Sequence, residues 1–67
     1  MRKAAFIGVG NMGGALARAA CRAVGPDQVL LFNRTPAKAE RLAEELGCTA
    51  VRSLSAAAEG AEYIFLG

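Results

Sequence analysis

Short apolar runs alternate with segments of helical periodicity along the chain. The first apolar run extends from Lys3 to Ile7, and a segment from Asn11 to Val24 follows it after a glycine-rich turn. A strand covered on both faces is apolar throughout, whereas a helix repeats its apolar positions about every 3.6 residues. The pattern therefore predicts a strand followed by a helix. The predicted inner face of that helix carries Met12, Leu16, Ala19, Ala20 and Ala23.

The rest of the chain repeats this alternation. Gly25 to Asp27 should end the first helix, because glycine and proline interrupt helices, and a second strand is predicted from Gln28 to Phe32. The second helix has Thr35 as its N-cap and Pro36 as its first residue, and it ends at Gly47. Its predicted inner face consists of Ala39, Leu42, Ala43 and Leu46.

Two short strands and one short helix complete the predicted order. The strands are expected at Cys48–Val51 and Glu62–Leu66, and between them Ser53 or Ser55 would cap a brief helix through Ala58. Right-handed crossovers between parallel strands give a doubly wound sheet with strand order 3-2-1-4. The predicted fold class is therefore α/β, the first four strands of a Rossmann-type parallel sheet. The fourth strand would be an apolar edge, which favours a longer protein in which another strand covers it.

Composition narrows the class of protein. The 67 residues allow at most one small domain, and 54% apolar with 21% charged residues indicates a folded chain. The net charge of +2 is scattered along the sequence, which gives no reason to expect nucleic acid or a membrane surface as a partner. The chain has no histidine and only two cysteines, so neither a Cys/His zinc site nor a disulfide scaffold is predicted.

The apolar start of the chain is too short for a secretion signal or a membrane span. Only the run from Ala4 to Val9 is apolar before glycine and asparagine interrupt it, and Arg18 falls where small residues should precede a cleavage site. A membrane span would need about 18 or more apolar residues in succession. The sequence predicts a cytoplasmic protein with reduced thiols.

The turn between the first strand and the first helix carries the clearest chemical signal. From Gly8 to Gly13 it reads G-V-G-N-M-G, the G-x-G-x-x-G pattern of dinucleotide-binding proteins, in the strand–turn–helix setting that the pattern requires. Gly8 would permit the tight turn, Gly10 would let a pyrophosphate approach the backbone, and Gly13 would let the helix pack closely. The amides of Asn11 and Met12 would point at the phosphates from the helix N-terminus.

The end of the second strand indicates which dinucleotide is bound. Proteins that prefer NAD carry an acidic residue there, about 20 residues past the turn, to accept hydrogen bonds from the ribose hydroxyls. This chain has Asn33, Arg34 and Thr35 instead. Arg34 offers a guanidinium group to a 2′-phosphate, Asn33 and Thr35 offer neutral donors, and Lys38 adds a more solvated charge. NADP (NADPH) is therefore the predicted cofactor, because flavin and S-adenosylmethionine sites more often keep an acid at this point.

The other polar and sulfur-containing residues are predicted to have structural or surface roles. The predicted inner face of the first helix does not include Arg18, Arg22 or Cys21, and Cys48 precedes a strand. The side chain of Met12 is expected to pack under the turn. The outer face of the second helix carries Glu40, Arg41, Glu44 and Glu45. No catalytic acid, base or nucleophile is predicted.

With these motifs in place, the chain resembles the N-terminal part of pyrroline-5-carboxylate reductase over essentially its whole length. Three stretches carry the resemblance: F-I-G-V-G-N-M-G-G-A from Phe6, N-R-T-P from Asn33 with the helix up to Gly47, and G-A-E-Y-I-F-L-G from Gly60. The 3-hydroxyisobutyrate and 6-phosphogluconate dehydrogenases share the first turn. Shikimate dehydrogenase and glutamyl-tRNA reductase share Asn-Arg-Thr but differ in that turn.

The resemblance implies an oxidoreductase that reduces 1-pyrroline-5-carboxylate to L-proline with NAD(P)H, in proline biosynthesis. It also implies that residues 1–67 are the N-terminal portion of an NADP-binding domain, followed in the complete protein by a helical domain for substrate binding and homo-oligomer formation. The 67-residue chain alone is then expected to be inactive. The alternatives are the cofactor domain of a 3-hydroxyisobutyrate- or 6-phosphogluconate-type dehydrogenase, and a non-catalytic NADP-binding module.

Overall fold

A computed structural model describes residues 3–66, apart from the side chain of Asn11. Three helices are present, α1 (Asn11–Val24), α2 (Pro36–Leu46) and α3 (Leu54–Gly60), with a 3-10 turn at Pro26–Gln28. The strands are β1 (Ala4–Ile7), β2 (Val29–Phe32), β3 (Thr49–Ala50) and β4 (Tyr63–Leu66).

The four strands form one parallel sheet in the order β3-β2-β1-β4, which confirms the predicted α/β fold and strand order. Phe6 at the centre of β1 pairs with Leu31 on one side and with Phe65 on the other. The predicted strands were slightly too long, because Lys3, Gln28 and Glu62 lie just before the strands to which they were assigned. β3 is reduced to two residues.

The main core lies between the sheet and the helices α1 and α2. It contains Phe6 from β1, alternate residues of β2, and small side chains from both helices. Its buried members are Phe6, Ala17, Cys21, Val29, Leu31, Ala39 and Ala43. Alanine and cysteine are the only helix side chains among them, so both helices lie close to the sheet.

The inner face of α1 differs from the prediction. Met12 is 77% exposed and Leu16 is 50% exposed, and Ala19 and Ala23 are exposed as well, whereas Ala20 packs against the core as expected. The buried side is the neighbouring stripe of Gly13, Ala17 and Cys21. The prediction that Cys21 lies off the inner face is therefore wrong. Small residues at a four-residue spacing allow close approach to the sheet, and this requirement outweighs the size of the apolar side chains.

The predicted inner face and C-terminal end of α2 are confirmed. Ala39 and Ala43 are buried in the core, with Leu42 and Leu46 packed against it. Gly47 takes the left-handed conformation at φ 79°, and its N–H donates to the carbonyl of Ala43 at 2.8 Å. Thr35 is the N-cap residue with Pro36 behind it, but its side chain makes no capping hydrogen bond.

The opposite face of the sheet is covered by α3, whose Ala57 packs on Ala5 and Leu30. Ser53 caps this helix, since its Oγ accepts a hydrogen bond from the Ala56 N–H at 3.0 Å. β4 forms the edge of the sheet next to β1, and its four side chains are all exposed to some degree. Within residues 3–66, no helix is long and apolar enough to cross a membrane.

Candidate functional site

Two loops meet at the carboxyl ends of β1 and β2, where ligands bind in open α/β sheets. The first is the glycine turn, residues 8–10, which leads into α1. The second is the polar loop, residues 33–35, which leads into α2. The N–H of Gly8 donates to the carbonyl of Phe32 at 2.8 Å, so the parallel β1–β2 pairing continues to the point where the loops separate.

The backbone conformation requires glycine at the first glycine of the turn but not at the second. Gly8 has φ 89°, a conformation that residues with a Cβ rarely adopt, so the path of the chain requires glycine there. Gly10 has φ −68° and ψ −165°, an extended conformation open to any residue. A Cβ placed on Gly10 would meet nothing within 4 Å. Neither the backbone nor the packing of the described residues therefore explains why position 10 lacks a side chain.

The N-terminus of α1 presents backbone donors to the space above Gly10. Gly10 is the N-cap and makes no side-chain capping bond, and the first turn of the helix contains no acidic residue. The first bond from the helix back to its cap is Gly14 N–H to Gly10 C=O, at 2.7 Å. In an α-helix, the amides that precede this bond have no partner within the helix. They belong to Asn11, Met12 and Gly13, and the first two are the residues whose amides are predicted to contact a pyrophosphate.

The side chain of Met12 does not pack under the turn as predicted, because it is 77% exposed. The small residues of the buried stripe fill the space over the sheet, which turns Met12 outwards. The predicted role of its amide does not depend on the position of the side chain.

The polar loop and the first turn of α2 present exposed positive charge. Arg34, Thr35 and Lys38 are all exposed. Within residues 3–66, Arg34 and Lys38 form no ion pair. Asn33 is half-buried, and its carboxamide is bonded to both loops, accepting from the Val9 N–H and donating to the Thr35 carbonyl, each at 3.1 Å.

A cleft of about 570 Å³ extends from the glycine turn along the groove between α1 and α2. Three of the predicted nucleotide-binding residues, Gly10, Asn33 and Lys38, line it, whereas Arg34 and Thr35 stand in the polar loop outside its lining. The other lining residues are Val9, Gly14, Ala15, Arg18, Arg41, Leu42 and Glu45.

Two basic residues of the cleft were missed by the sequence analysis, which placed Arg18 and Arg41 on outer helix faces. Arg18 crosses from α1 to form an ion pair with Glu45 of α2, while Arg41 follows Lys38 by three residues and shares its side of the helix. Only the packing of α1 beside α2 brings these cations together. With Lys38 they make the cleft predominantly basic.

The two cysteines lie in the core, away from both loops. Cys21 is buried in the main cluster, and Cys48 packs against the same cluster. Burial raises the pKa of the Cys48 thiol from 9.0 to about 11, and the neighbouring Cys21 adds to the shift. The Cys48 thiol is therefore protonated at neutral pH and is a poor nucleophile.

The two loops together fit the phosphate groups of a dinucleotide. The open space over Gly10 leaves room for phosphate groups next to the uncapped amides of α1, and the dipole of a helix favours negative charge at that end. The basic side chains of the polar loop and the cleft supply further positive charge. Among the described residues, no group of three or more acidic or sulfur-containing side chains is arranged to hold a metal ion.

The chain is similar in structure to glutamyl-tRNA reductase from Methanopyrus kandleri. The two chains share 28% sequence identity with a TM-score of 0.81. The similarity covers 97% of this chain but only 16% of the reductase, so this chain spans a small part of that protein's length. No curated protein sequence matches the chain significantly.

A protein-family comparison agrees with the geometry of the glycine turn and the parallel sheet. The family described as NADP oxidoreductase, coenzyme F420-dependent, matches residues 3–67, which is nearly the whole chain. The chain therefore belongs to this family of oxidoreductases and corresponds to its Rossmann-like, NAD(P)-binding region.

Proposed function

We propose that this chain is the NADPH-binding part of an oxidoreductase that reduces 1-pyrroline-5-carboxylate to L-proline. The observation that carries the nucleotide assignment is Gly10, which lacks a side chain although its conformation and surroundings would accept one. A bound pyrophosphate that approaches the backbone supplies the missing reason. The substrate assignment rests on the three stretches that resemble pyrroline-5-carboxylate reductase.

The preference for NADPH follows from the charge of the polar loop. Arg34 and Lys38 are exposed cations without ion-pair partners among the described residues. A charge-assisted bond from Arg34 to a 2′-phosphate is worth about 1.5–3 kcal/mol, or roughly a 10- to 100-fold gain in affinity. NADH has no group that can make this bond.

The residues of the cleft bind and orient the cofactor. The nicotinamide supplies the hydride when NADPH is bound, and the protein determines where the ring is held. The helix N-terminus fixes the pyrophosphate, and the polar loop fixes the adenosine end. Neither loop contains an acid, base or nucleophile suited to act on a substrate carbon, so we expect the 67-residue chain to bind NADPH without turnover.

A second candidate function is hydride exchange between NADP and coenzyme F420. The observation that favours it is the family match over residues 3–67. Both candidates use the same nucleotide site and differ only in the second reactant.

The test compares acceptors in the complete product of the gene that encodes this segment. Oxidation of NADPH is followed by its absorbance with 1-pyrroline-5-carboxylate or with oxidised F420 as the acceptor. Turnover with pyrroline-5-carboxylate supports the proposal, and turnover with F420 alone supports the second candidate. The absence of NADPH binding would contradict both and would favour a fragment without a nucleotide function.

A further inference from the structure

We propose that Asn33 is a positioning residue that holds the glycine turn and the polar loop together, and so supports the binding of both NADPH and NADH. This inference rests on the proposed function, because it concerns the geometry of the same nucleotide site. It assigns Asn33 a role that differs from the direct 2′-phosphate contact expected from the sequence.

The hydrogen bonds of Asn33 extend the sheet beyond the ends of its strands. The last backbone bond between the two segments is Gly8 N–H to Phe32 C=O, at 2.8 Å. One residue further on, the N–H of Val9 donates to the Asn33 side-chain Oδ1 at 3.1 Å, across 24 positions of sequence. The side chain thereby ties the backbone of the glycine turn to the residue that directly follows β2.

The second bond of Asn33 fixes the polar loop. Its Nδ2 donates to the carbonyl of Thr35 at 3.1 Å, which holds the backbone that leads into α2. The Val9 N–H can only donate and the Thr35 carbonyl can only accept. The side chain at position 33 must therefore accept one hydrogen bond and donate another. Asparagine does both, whereas aspartate offers acceptors only and alanine offers neither.

The half-buried position of Asn33 strengthens this role. The side chain lies between the loops and lines the cleft, while Arg34 and Lys38 extend into solvent. The bond with Val9 is partly shielded from water, which strengthens it, whereas the bond with Thr35 is exposed. Loss of the carboxamide would release Val9 and Thr35 together, which moves both phosphate-binding segments.

Positioning and direct contact predict different affinities. If Asn33 mainly contacted the 2′-phosphate, its loss would weaken NADPH and leave NADH unchanged. If it positions the loops, its loss weakens NADH as well as NADPH, because both use the pyrophosphate site.

The experiment measures NADPH and NADH affinities by calorimetry for the 67-residue chain, with Asn33→Ala and Asn33→Asp as variants. Ser53→Ala is the matched control, because it removes one side-chain hydrogen bond, Ala56 N–H to Ser53 Oγ at 3.0 Å, on the other face of the sheet. We expect Asn33→Ala to weaken both nucleotides about tenfold, as the loss of two hydrogen bonds implies. Ser53→Ala should lower the melting temperature without changing either affinity.

Asn33→Asp separates the two bonds. Its carboxylate can still accept from the Val9 N–H, so NADH affinity should recover to within about threefold of the original chain. NADPH affinity should stay low, because the new negative charge repels the 2′-phosphate. A selective loss of NADPH binding in Asn33→Ala, or no loss at all, would overturn the inference.

Amide hydrogen exchange tests the clamp without any nucleotide. We expect the Val9 amide to exchange slowly in the original chain and in Ser53→Ala, and much faster in Asn33→Ala. A Val9 amide that stays protected in Asn33→Ala would refute the positioning role alone. Failure of the original chain to bind either nucleotide would refute the proposed function, and the inference about binding with it.

Discussion

The glycine turn before α1 and the polar loop before α2 lie side by side, but they offer a ligand different groups. The turn presents backbone amides and open space, with no side chain at Gly10 and no acidic residue in the first turn of the helix. The loop presents the exposed side chains of Arg34 and Thr35, and the first turn of α2 adds Lys38. The glycine turn thus offers a ligand mainly backbone groups, whereas the polar loop offers it mainly charged and polar side chains.

This difference separates affinity from selectivity. In the proposed function, backbone amides at the helix N-terminus bind the pyrophosphate, which NADPH and NADH share. The cationic side chains would bind the 2′-phosphate, which only NADPH carries. Changes in the turn should therefore affect both nucleotides alike, and changes in the cationic side chains of Arg34 and Lys38 should alter their ratio.

The largest effect is expected from Gly10→Trp. The indole would fill the space over the turn and exclude the pyrophosphate, with the loss of at least two charge-assisted bonds. We expect both nucleotides to bind at least about 100-fold more weakly, as measured by calorimetry. The fold should persist, because the backbone at Gly10 suits any residue and its Cβ would meet nothing within 4 Å.

Gly47→Ala is the matched control for the Gly10 variant. Gly47 has φ 79° at the end of α2, so a side chain there strains the backbone away from the site. We expect a loss of about 1 kcal/mol in the free energy of unfolding with unchanged nucleotide affinities. Normal nucleotide binding by Gly10→Trp would show that the phosphates lie elsewhere.

Arg34→Asp should invert the selectivity. The change removes the cation and places a negative charge where the 2′-phosphate is expected, so NADPH should bind more weakly than NADH, by roughly tenfold. Arg22→Asp, the same substitution at an exposed position in the last turn of α1, serves as the control and should leave the ratio unchanged. A variant that still prefers NADPH would move the phosphate site towards Lys38.

Lys38→Ala should have a smaller effect on the same ratio. Lys38 is exposed, so its attraction to a phosphate is screened by water and salt. We expect NADPH affinity to fall about two- to fivefold and NADH affinity to stay constant. Arg41→Ala, which removes the next cation of the cleft on α2, measures whether the positive charge extends beyond the loop. Equal losses for both nucleotides in Lys38→Ala would mean that Lys38 does not read the 2′-phosphate.

A separate effect concerns stability and lies outside both loops. The fold raises the pKa of Cys48 from 9.0 to about 11, so it favours the protonated thiol. The resulting stability is complete below the ordinary pKa and is lost as the pH rises towards the raised one. Between about pH 8 and about pH 11, the free energy of unfolding should therefore fall less in Cys48→Ser than in the original chain. Denaturant unfolding at a series of pH values measures this difference. Identical pH dependence in the two chains would contradict this.

The sequence was sufficient to predict the topology and α2. Alternating apolar runs and helical segments gave the strand order, and Pro36 and Gly47 marked the ends of α2 correctly. The inner face of α1 was predicted wrongly, because periodicity favours large apolar residues such as Leu16. The close packing of α1 on the sheet instead selected a stripe of small residues such as Ala17.

The candidate site was only partly predictable for a related reason. Motif spacing identifies residues whose predicted role depends on their immediate neighbours in the sequence, such as Gly10 and Arg34. It does not reveal which side chains tertiary packing brings to the cleft. The bond between Asn33 and Val9, and the position of Arg18 beside α2, depend on contacts between distant parts of the sequence.

Titration of the unmodified chain with NADPH and with NADH, at the same salt concentration, tests the central claim most directly. If the backbone turn binds the shared pyrophosphate and the basic loop binds the 2′-phosphate, both nucleotides bind and NADPH binds about 10- to 100-fold more tightly. Equal affinities would contradict the assignment of Arg34 and its neighbours to the 2′-phosphate. Failure of both nucleotides to bind would contradict the account of the glycine turn as well.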